Sequence, residues 1–167
     1  MKVTIKELYI SPGHNYFGRY GMDSLKHPIV VVDQLELVAG KGIVDDRFFD
    51  YLPDYKGQIT FFDETVHQKV CEFSKRADLS PQAYRRNVVV SGVDLSELYN
   101  KRFSINGIEM TGSGECKPCF WMDEAICEGA EEFLKGRGGL RARLLDDGIL
   151  KAGEFELEIL GEIEHAE

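Results

Sequence analysis

The sequence predicts a mainly β (α+β) fold, in which an antiparallel β-barrel-like sheet carries a few peripheral helices. Three observations predict this class. Many short runs of β-branched and aromatic residues occur along the chain, turns rich in Gly, Asn and Asp separate them, and only two longer stretches have helical spacing. The strand-like runs do not alternate one for one with helices, as a parallel doubly wound sheet requires. We therefore expect one domain over residues 1–167.

The first half of the chain predicts three strands and one capped helix. The runs VTIKELYI at residues 3–10 and IVVVDQLELV at residues 29–38 are predicted strands, and residues 57–62 form a shorter one. Asp63 is a predicted N-cap, because its carboxylate suits a hydrogen bond from the first turn of the helix that follows. Ser80-Pro81 then begins a short helical turn, since Pro suits the first helical position.

The second half contains the strongest local turn signal, Asn106-Gly107, which predicts a two-residue β-hairpin. A Cys-Lys-Pro-Cys turn precedes a predicted helix over residues 120–134, and the Gly-rich corner at 136–139 ends that helix. Residues 95–99 predict one further helical turn. The strands predicted in this half occupy residues 87–91, 102–105, 108–111, 141–145 and 154–159.

The charge of the chain limits its partners. The formal net charge is −9 at pH 7, and so acidic a chain repels phosphodiester backbones, which argues against nucleic acid as a partner. No apolar stretch reaches the length of about 18 residues that a membrane helix needs, so no membrane is expected either. The first residues lack the apolar core of a signal peptide, and a cytoplasmic location is therefore expected.

The cysteines do not form the pattern of a disulfide framework, so we expect reduced thiols. Two of them, Cys116 and Cys119, stand three positions apart, and the other two, Cys71 and Cys127, are isolated. A structural zinc site requires four ligands, commonly as two such pairs, and the chain has one pair. Zinc is therefore the weakest interpretation of this motif.

The Cys-Lys-Pro-Cys motif has two stronger interpretations, and the residues alone do not decide between them. The first is a dithiol oxidoreductase that uses Cys116 and Cys119, because a helix N-terminus stabilises a thiolate. The second is a single reactive thiol at Cys119, which lies nearer the predicted helix and follows Pro118. Such a thiolate would be a soft metal ligand or an acceptor of sulfur, with Phe120 and Trp121 as walls of the site.

Arginines beside strands and glycines predict a pocket for an anion. The guanidinium group offers a rigid fork that suits phosphate, and glycine lets backbone N–H groups approach a ligand. Ser11 and His14, in the loop after the first strand, carry a hydroxyl and an imidazole that suit either a polar pocket or a turn. The arginines in question are Arg47, Arg85, Arg86, Arg137, Arg141 and Arg143.

Several segments together resemble the MOSC domain, the C-terminal domain of molybdenum-cofactor sulfurases, which also occurs as small stand-alone bacterial proteins. The resemblance extends over about residues 6–154 and implies a single MOSC domain for residues 1–167. The segments that carry it are LYISPGHNYFGRYG, GIVDDRFFDY, KGQITFFDE, YRRNVVVSGVDLSELYNKRFSINGIEMTGSGECKPCFWMDEA and KGRGGLRARLLDDGILKAGE. The chain departs from the family's Gly-Asp-Arg pattern at Asp45, which stands in place of the glycine.

The resemblance implies a barrel-like fold and a site for the molybdenum cofactor (molybdopterin). Cys119 matches the family's characteristic cysteine, which ligates molybdenum in amidoxime-reducing relatives and is proposed to carry sulfur in sulfurase-type members. Arg86 and Asn87 match positions that help to hold the cofactor, and its phosphate would be the anion. The expected cofactor-binding residues are Arg86, Asn87, Arg47, Arg137, Arg141, Arg143, Ser11, His14 and Thr60.

Three hypotheses for the function follow. The first is a molybdenum-cofactor-binding or sulfur-carrier domain, with an electron- or sulfur-donor protein as a partner. The alternatives are a dithiol oxidoreductase that uses Cys116 and Cys119, and a non-catalytic cofactor carrier or adaptor. As an enzyme the chain would be a sulfurtransferase or a component of a molybdenum-dependent reductase. It contains no aminotransferase-like segment, so we expect it to act independently of pyridoxal phosphate.

Overall fold

The fold is built around a closed barrel of strands, in a computed structural model that describes residues 1–13 and 28–163. Within these residues the helices are α1 (Glu64–Ser74), α2 (Trp121–Ala125) and α3 (Ala130–Leu134), with 3-10 helices at Pro81–Tyr84 and Leu95–Leu98. The strands are β1 (Lys2–Ile10), β2 (Val30–Val31), β3 (Gln34–Val38), β4 (Gly42–Ile43), β5 (Ile59–Asp63), β6 (Val88–Ser91), β7 (Lys101–Ile105), β8 (Ile108–Glu115), β9 (Leu140–Leu144), β10 (Gly148–Lys151) and β11 (Gly153–Glu162).

Seven strands close the barrel in the order β1-β11-β7-β8-β9-β5-β6, and β6 pairs with β1 again. Every neighbouring pair in this ring is antiparallel except β5 and β6, which run parallel because α1 carries the chain back between them. The predicted mainly β, barrel-like fold with a few helices is therefore confirmed. The barrel is mixed rather than purely antiparallel.

A second, three-stranded sheet contains β3, β4 and β10. Its presence corrects the prediction of one strand over residues 29–38. The chain instead breaks after β2, because β2 pairs with β1 in the barrel whereas β3 pairs with β10 and β4 in the small sheet. The sequence prediction also missed β10, which directly follows the turn at Asp146 and Asp147.

The predicted helix starts at residues 63 and 80 are confirmed. The Asp63 carboxylate accepts a hydrogen bond of 2.8 Å from the backbone N–H of Thr65, and α1 begins one residue after Asp63. The Ser80 hydroxyl caps the first 3-10 helix in the same way, by accepting from the N–H of Gln82 at 3.2 Å. None of the helices in the described part of the chain is long and apolar enough to cross a membrane.

The single long helix predicted over residues 120–134 is wrong, because two short helices, α2 and α3, occupy this segment. Gly129 between them has φ +89°, a left-handed conformation that cannot continue a helix. The Asp123 carboxylate accepts hydrogen bonds from the N–H groups of Gly129 at 3.2 Å and Glu131 at 2.8 Å. One side chain therefore ends the turn between the helices and caps the second helix.

Strand β5 separates two hydrophobic cores. Phe61 points into the barrel, where it packs with residues such as Phe103 and Leu140. Phe62, the next residue, points outward and stacks on Tyr84 with ring centroids 3.8 Å apart. The second core, around Phe62 and Tyr84, lies between the barrel and the helices. The helices do not cover the rest of the outer face of β5 and β9, where the candidate site lies.

We predict that Gly112→Ala strongly destabilises the fold. A Cβ at Gly112 would overlap the backbone carbonyl oxygen of Leu98, and neither backbone segment can yield cheaply. We expect the free energy of unfolding, measured by urea denaturation, to fall by about 3 kcal/mol or more. The control is Gly40→Ala, which meets open space at φ +73° and should cost only about 1 kcal/mol of left-handed strain. Equal effects of the two substitutions would contradict this packing.

Candidate functional site

A cleft with a volume of about 320 Å³ opens on the outer face of β5 and β9. Thr60 and Arg141 are direct partners across these two strands, and both line the cleft. Their neighbours Leu140 and Ala142 are buried in the barrel, so the alternation of β9 turns Arg141 outward. The lining also includes Arg47, Phe48, Tyr55, Gly57, Arg85, Arg86, Glu115, Cys116 and Lys117.

The cleft is strongly positive although the chain is acidic. Five cationic side chains and one carboxylate line it among the described residues, whereas the whole chain has a net charge of −9. That carboxylate, on Glu115, accepts hydrogen bonds from the N–H groups of Gly136 at 2.8 Å and Gly138 at 3.2 Å. Such a local excess of positive charge between low-dielectric walls attracts a small anion.

Arg86 uses its guanidinium group to join three segments of the chain. Its Nε donates to the carbonyl oxygen of Gly138 at 3.1 Å, its Nη1 to that of Tyr84 at 2.6 Å and its Nη2 to that of Cys116 at 3.1 Å. The close approach of residue 138 to the Cys116 turn requires glycine, because a Cβ at Gly138 would overlap the Cys116 carbonyl oxygen. Arg86 therefore keeps its charge near the cleft while it fixes the cleft's shape.

Arg85, directly before Arg86, lies in a left-handed turn at φ +56° and is buried. Its Nη2 donates to the Ser11 hydroxyl and to the Gly13 carbonyl, both at 2.8 Å. Ser11 is fully buried, and its backbone N–H donates to Asp46 Oδ1 at 3.0 Å. Ser11 thus supports the cleft from beneath. Arg85 was expected among the arginines of the anion pocket, but it was not included among the expected cofactor-binding residues.

Arg47 is held at the cleft by a carboxylate and a carbonyl. Its Nη1 lies 3.3 Å from Asp46 Oδ1, and its Nη2 donates to the Arg85 carbonyl at 3.0 Å. Burial lowers the pKa of Arg47, and Asp46 opposes that effect while nearby Arg86 adds to it. The guanidinium also lies over the Phe48 ring, 4.7 Å from its centroid.

Phe48 and Tyr55 line the cleft, and Tyr51 packs edge-on against both rings to complete an aromatic cluster. The Phe48 and Tyr55 rings stack at 5.2 Å, and Tyr51 meets Tyr55 edge-on at 5.0 Å. Burial raises the pKa of Tyr55, so its hydroxyl stays protonated at neutral pH, although the neighbouring Arg141 acts to lower it. The segment that carries this cluster is joined to β8 by a hydrogen bond of 2.8 Å, which the Ser113 hydroxyl donates to the Lys56 carbonyl.

Arg141 has an unused donor at the cleft. Its Nε is buried and has no hydrogen-bond partner among the described residues. A Cβ at Gly57 would lie 3.3 Å from Arg141 Cδ and 3.2 Å from the Tyr55 ring, so glycine there lets both side chains approach. A buried N–H without an acceptor is costly, and an anion in the cleft would supply the acceptor.

Asn87 and Thr60 form a buried polar pair beside the cleft. Asn87 Oδ1 accepts from both the backbone N–H and the hydroxyl of Thr60, each at 3.0 Å, and Asn87 Nδ2 donates to the Tyr9 carbonyl at 3.2 Å. Thr60 lines the cleft, whereas Asn87 lies behind it. Asn87 therefore acts on any ligand only through Thr60 and the strands that it joins.

The two cysteines of the Cys-Lys-Pro-Cys turn occupy different places. Cys116 lines the cleft, and its backbone N–H donates to the Gly139 carbonyl at 2.8 Å. Cys119 is not among the described residues that line the cleft, and its carbonyl instead accepts from the N–H of Met122 at the start of α2. Phe120 and Trp121 are also outside this lining. All four cysteines are free and partly exposed.

The remaining expected site residues lie elsewhere. Arg137 lies over the Phe133 ring at 4.6 Å and lines a separate cavity of about 530 Å³. Arg143 Nε lies 3.0 Å from the Asp54 carboxylate, and Arg143 does not belong to the described lining of the cleft. His14 falls outside the described residues. Sequence reasoning missed Tyr55, Glu115 and Lys117, although the last two directly flank Cys116.

Comparison with known proteins gives one family and a set of similar structures. The MOSC domain family matches residues 58–155. The YuaD protein from Bacillus subtilis is similar with a TM-score of 0.75 and 19% identity, over 94% of this chain and 96% of that chain. YiiM from Escherichia coli has a TM-score of 0.65 and 17% identity, over 99% of this chain and 72% of that chain. These identities show a shared fold alone. No curated protein matches the chain.

We predict that Arg86→Lys and Arg141→Lys affect stability very differently. Lysine at residue 86 cannot reach three carbonyl oxygens, and we expect the free energy of unfolding to fall by about 3 kcal/mol. Lysine at residue 141 removes a buried Nε that has no partner among the described residues, and the gain from its removal offsets the lost contact with Tyr55, so any loss should stay below about 1 kcal/mol. Urea denaturation of both variants measures this. A larger loss in Arg141→Lys would show that the assigned roles are reversed.

Proposed function

The chain belongs to the MOSC domain family, and from that membership we propose that its cleft binds the phosphate group of the molybdenum cofactor. The family is associated with molybdenum-cofactor binding or sulfur transfer. The cleft suits the phosphate end of the cofactor, because phosphate is a compact anion with several acceptor oxygens. When bound, the cofactor would supply the redox-active metal.

One observation carries the proposal: the buried Nε of Arg141 that has no hydrogen-bond partner among the described residues. The other guanidinium groups bond mainly to the chain itself, as Arg86 does to three carbonyl oxygens. A phosphate oxygen opposite Arg141 would remove a desolvation cost of about 1–3 kcal/mol. In this proposal Arg141 contacts the phosphate directly, Arg47 and Lys117 add charge, and Arg85 and Arg86 hold the frame.

The metal end of the cofactor requires a soft ligand, and a cysteine thiolate is one. We propose Cys119 for this role, because it matches the family's characteristic cysteine. It follows Pro118, whose ring lies close to Gly138 and hence to the Arg86 hydrogen-bond network. Cys116 lies in the cleft itself and is the competing thiol, so Cys119→Ser and Cys116→Ser should be compared for retention of molybdenum. An electron- or sulfur-donor protein would be the partner.

The two alternative functions make different demands on the cysteines. A dithiol oxidoreductase requires both Cys116 and Cys119, so either substitution alone would abolish a reversible disulfide between them. A non-catalytic cofactor carrier requires the cationic cleft but no reactive thiol. Redox titration of the single-cysteine variants separates these alternatives from a metal-ligating role for one cysteine.

We predict that Arg141→Ala loses the cofactor and that Arg102→Ala keeps it. Arg102 is also a strand arginine, but it is exposed and ion-paired with Glu109 at 3.8 Å, outside the cleft. The protein is purified from cells that make the cofactor, and molybdenum and oxidised pterin are measured per chain. Loss of a charge-assisted contact of about 1.5–3 kcal/mol predicts at least about tenfold weaker retention in Arg141→Ala.

Two results would contradict the proposal. Wild-type protein without molybdenum or pterin would remove its basis. Arg141→Ala protein with the same cofactor content as Arg102→Ala would show that the cofactor does not depend on this cleft.

A further inference from the structure

We infer that Cys116 accepts sulfur from a small anionic sulfane-sulfur donor of the thiosulfate class. This inference rests on the proposed function only in that it uses the same cationic cleft. Cys116 lines that cleft together with Arg47, Arg141 and Lys117. The other three cysteines are not among the described residues of its lining. Cys116 and the anion-attracting groups therefore line one cavity.

The backbone fixes the position of Cys116 within the cleft. Its N–H donates to the Gly139 carbonyl at 2.8 Å, and its carbonyl accepts from Arg86 Nη2 at 3.1 Å. Burial is the main cause of the lowered pKa of Arg47, and Cys116 is among the charges that act in the opposite direction, so the Cys116 sulfur is within electrostatic reach of that guanidinium group. Burial is also the main cause of the raised pKa of Tyr55, and Cys116 adds to it. A thiolate formed at Cys116 would therefore interact with the positive charge of Arg47.

The reaction is a simple displacement at sulfur. The Cys116 thiol loses its proton to solvent, and the thiolate attacks the outer sulfur of thiosulfate. The new S–S bond joins Cys116 to that sulfur, the S–S bond of the donor breaks, and sulfite leaves with the electron pair of the broken bond. The product is a persulfide on Cys116. No further oxidant is needed, because the transferred sulfur arrives at the sulfane oxidation level.

Charge explains why the donor class is anionic. A thiolate repels a dianionic donor in water, and sulfite leaves as a dianion, so both stages need nearby positive charge. The Nε of Arg141, which lacks a partner among the described residues, and the ammonium group of Lys117 can supply it at the cleft. At Cys71, burial and the nearby Asp78 carboxylate raise the pKa of the thiol. Cys71 should therefore react slowly with the same donor.

The test is a labelling experiment on the full chain with thiosulfate as the probe. Reduced protein is treated with thiosulfate, alkylated and digested, and fragment spectra locate the added mass of one sulfur atom. We expect the label on Cys116 in wild type and in Cys119→Ser, and no label at either position in Cys116→Ser. Labelling of Cys119 or Cys71 at the rate of Cys116 would overturn the inference.

A second comparison tests the role of charge. Arg141→Ala should slow labelling by thiosulfate about tenfold more than it slows labelling by an uncharged organic trisulfide. Equal effects on both donors would overturn the anionic specificity. Because the label is read on wild-type protein as well, the inference does not depend on whether one variant folds.

Molybdenum and pterin content measured on the same preparations separates the two proposals. A persulfide on Cys116 in protein that never retains the cofactor would support this inference and contradict the proposed function. Protein that retains the cofactor as purified, and in which Cys116 takes up no sulfur after the cofactor has been removed, would support the proposed function and overturn this inference.

Discussion

The three hydrogen bonds of the Arg86 guanidinium are the constraint on which the cleft depends. They join the end of the first 3-10 helix at Tyr84, the Cys116 turn and the glycine corner at Gly138. These segments are distant in sequence, and no pairing among the described strands joins all three. A charged donor bonded to buried carbonyls contributes more than a neutral one, and its loss leaves the carbonyls unpaired. These three hydrogen bonds of Arg86 therefore determine both the position of Cys116 and the shape of the cleft.

The same choice of partners accounts for a positive cavity in an acidic chain. A guanidinium paired with a carboxylate contributes little net charge to its surroundings, whereas one bonded to neutral carbonyls keeps its charge. Arg86 bonds to carbonyl oxygens, and Arg85 bonds to a hydroxyl and a carbonyl. Arg47 differs from these two, because its partner Asp46 offsets part of its charge. The cleft is therefore positive although the chain is acidic, because two of its arginines bond to neutral backbone carbonyls.

The parts of the fold that the sequence predicted well depend on local chemistry. The Asp63 cap and the Asn106-Gly107 hairpin are specified within a few residues, so both could be found without knowledge of the rest. The break between α2 and α3 was missed because it depends on one carboxylate, Asp123, which captures two backbone N–H groups six and eight residues away. The composition of residues 120–134 alone does not show that capture.

The candidate site divides in the same way. Arg141 could be predicted to turn outward, because alternation along a strand is local, and Arg86 and Asn87 were found from the family resemblance. Which cysteine faces the arginines could not be predicted, because it depends on contacts of Cys116 with Arg86 and Gly139 across the fold. The presence of Tyr55 at the cleft could not be predicted either, because its approach to Arg141 requires a glycine at residue 57.

In the proposed site, Arg141 offers its Nε–H to an anion, whereas Arg86 Nε already donates to the Gly138 carbonyl. A titration with inorganic phosphate, followed by nuclear magnetic resonance of the arginine Nε–H groups, measures this difference. We expect a saturable shift of the Arg141 Nε–H resonance and an unchanged Arg86 resonance. An Arg141 resonance that does not respond, or that responds no more than exposed arginines such as Arg102, would contradict the proposed site.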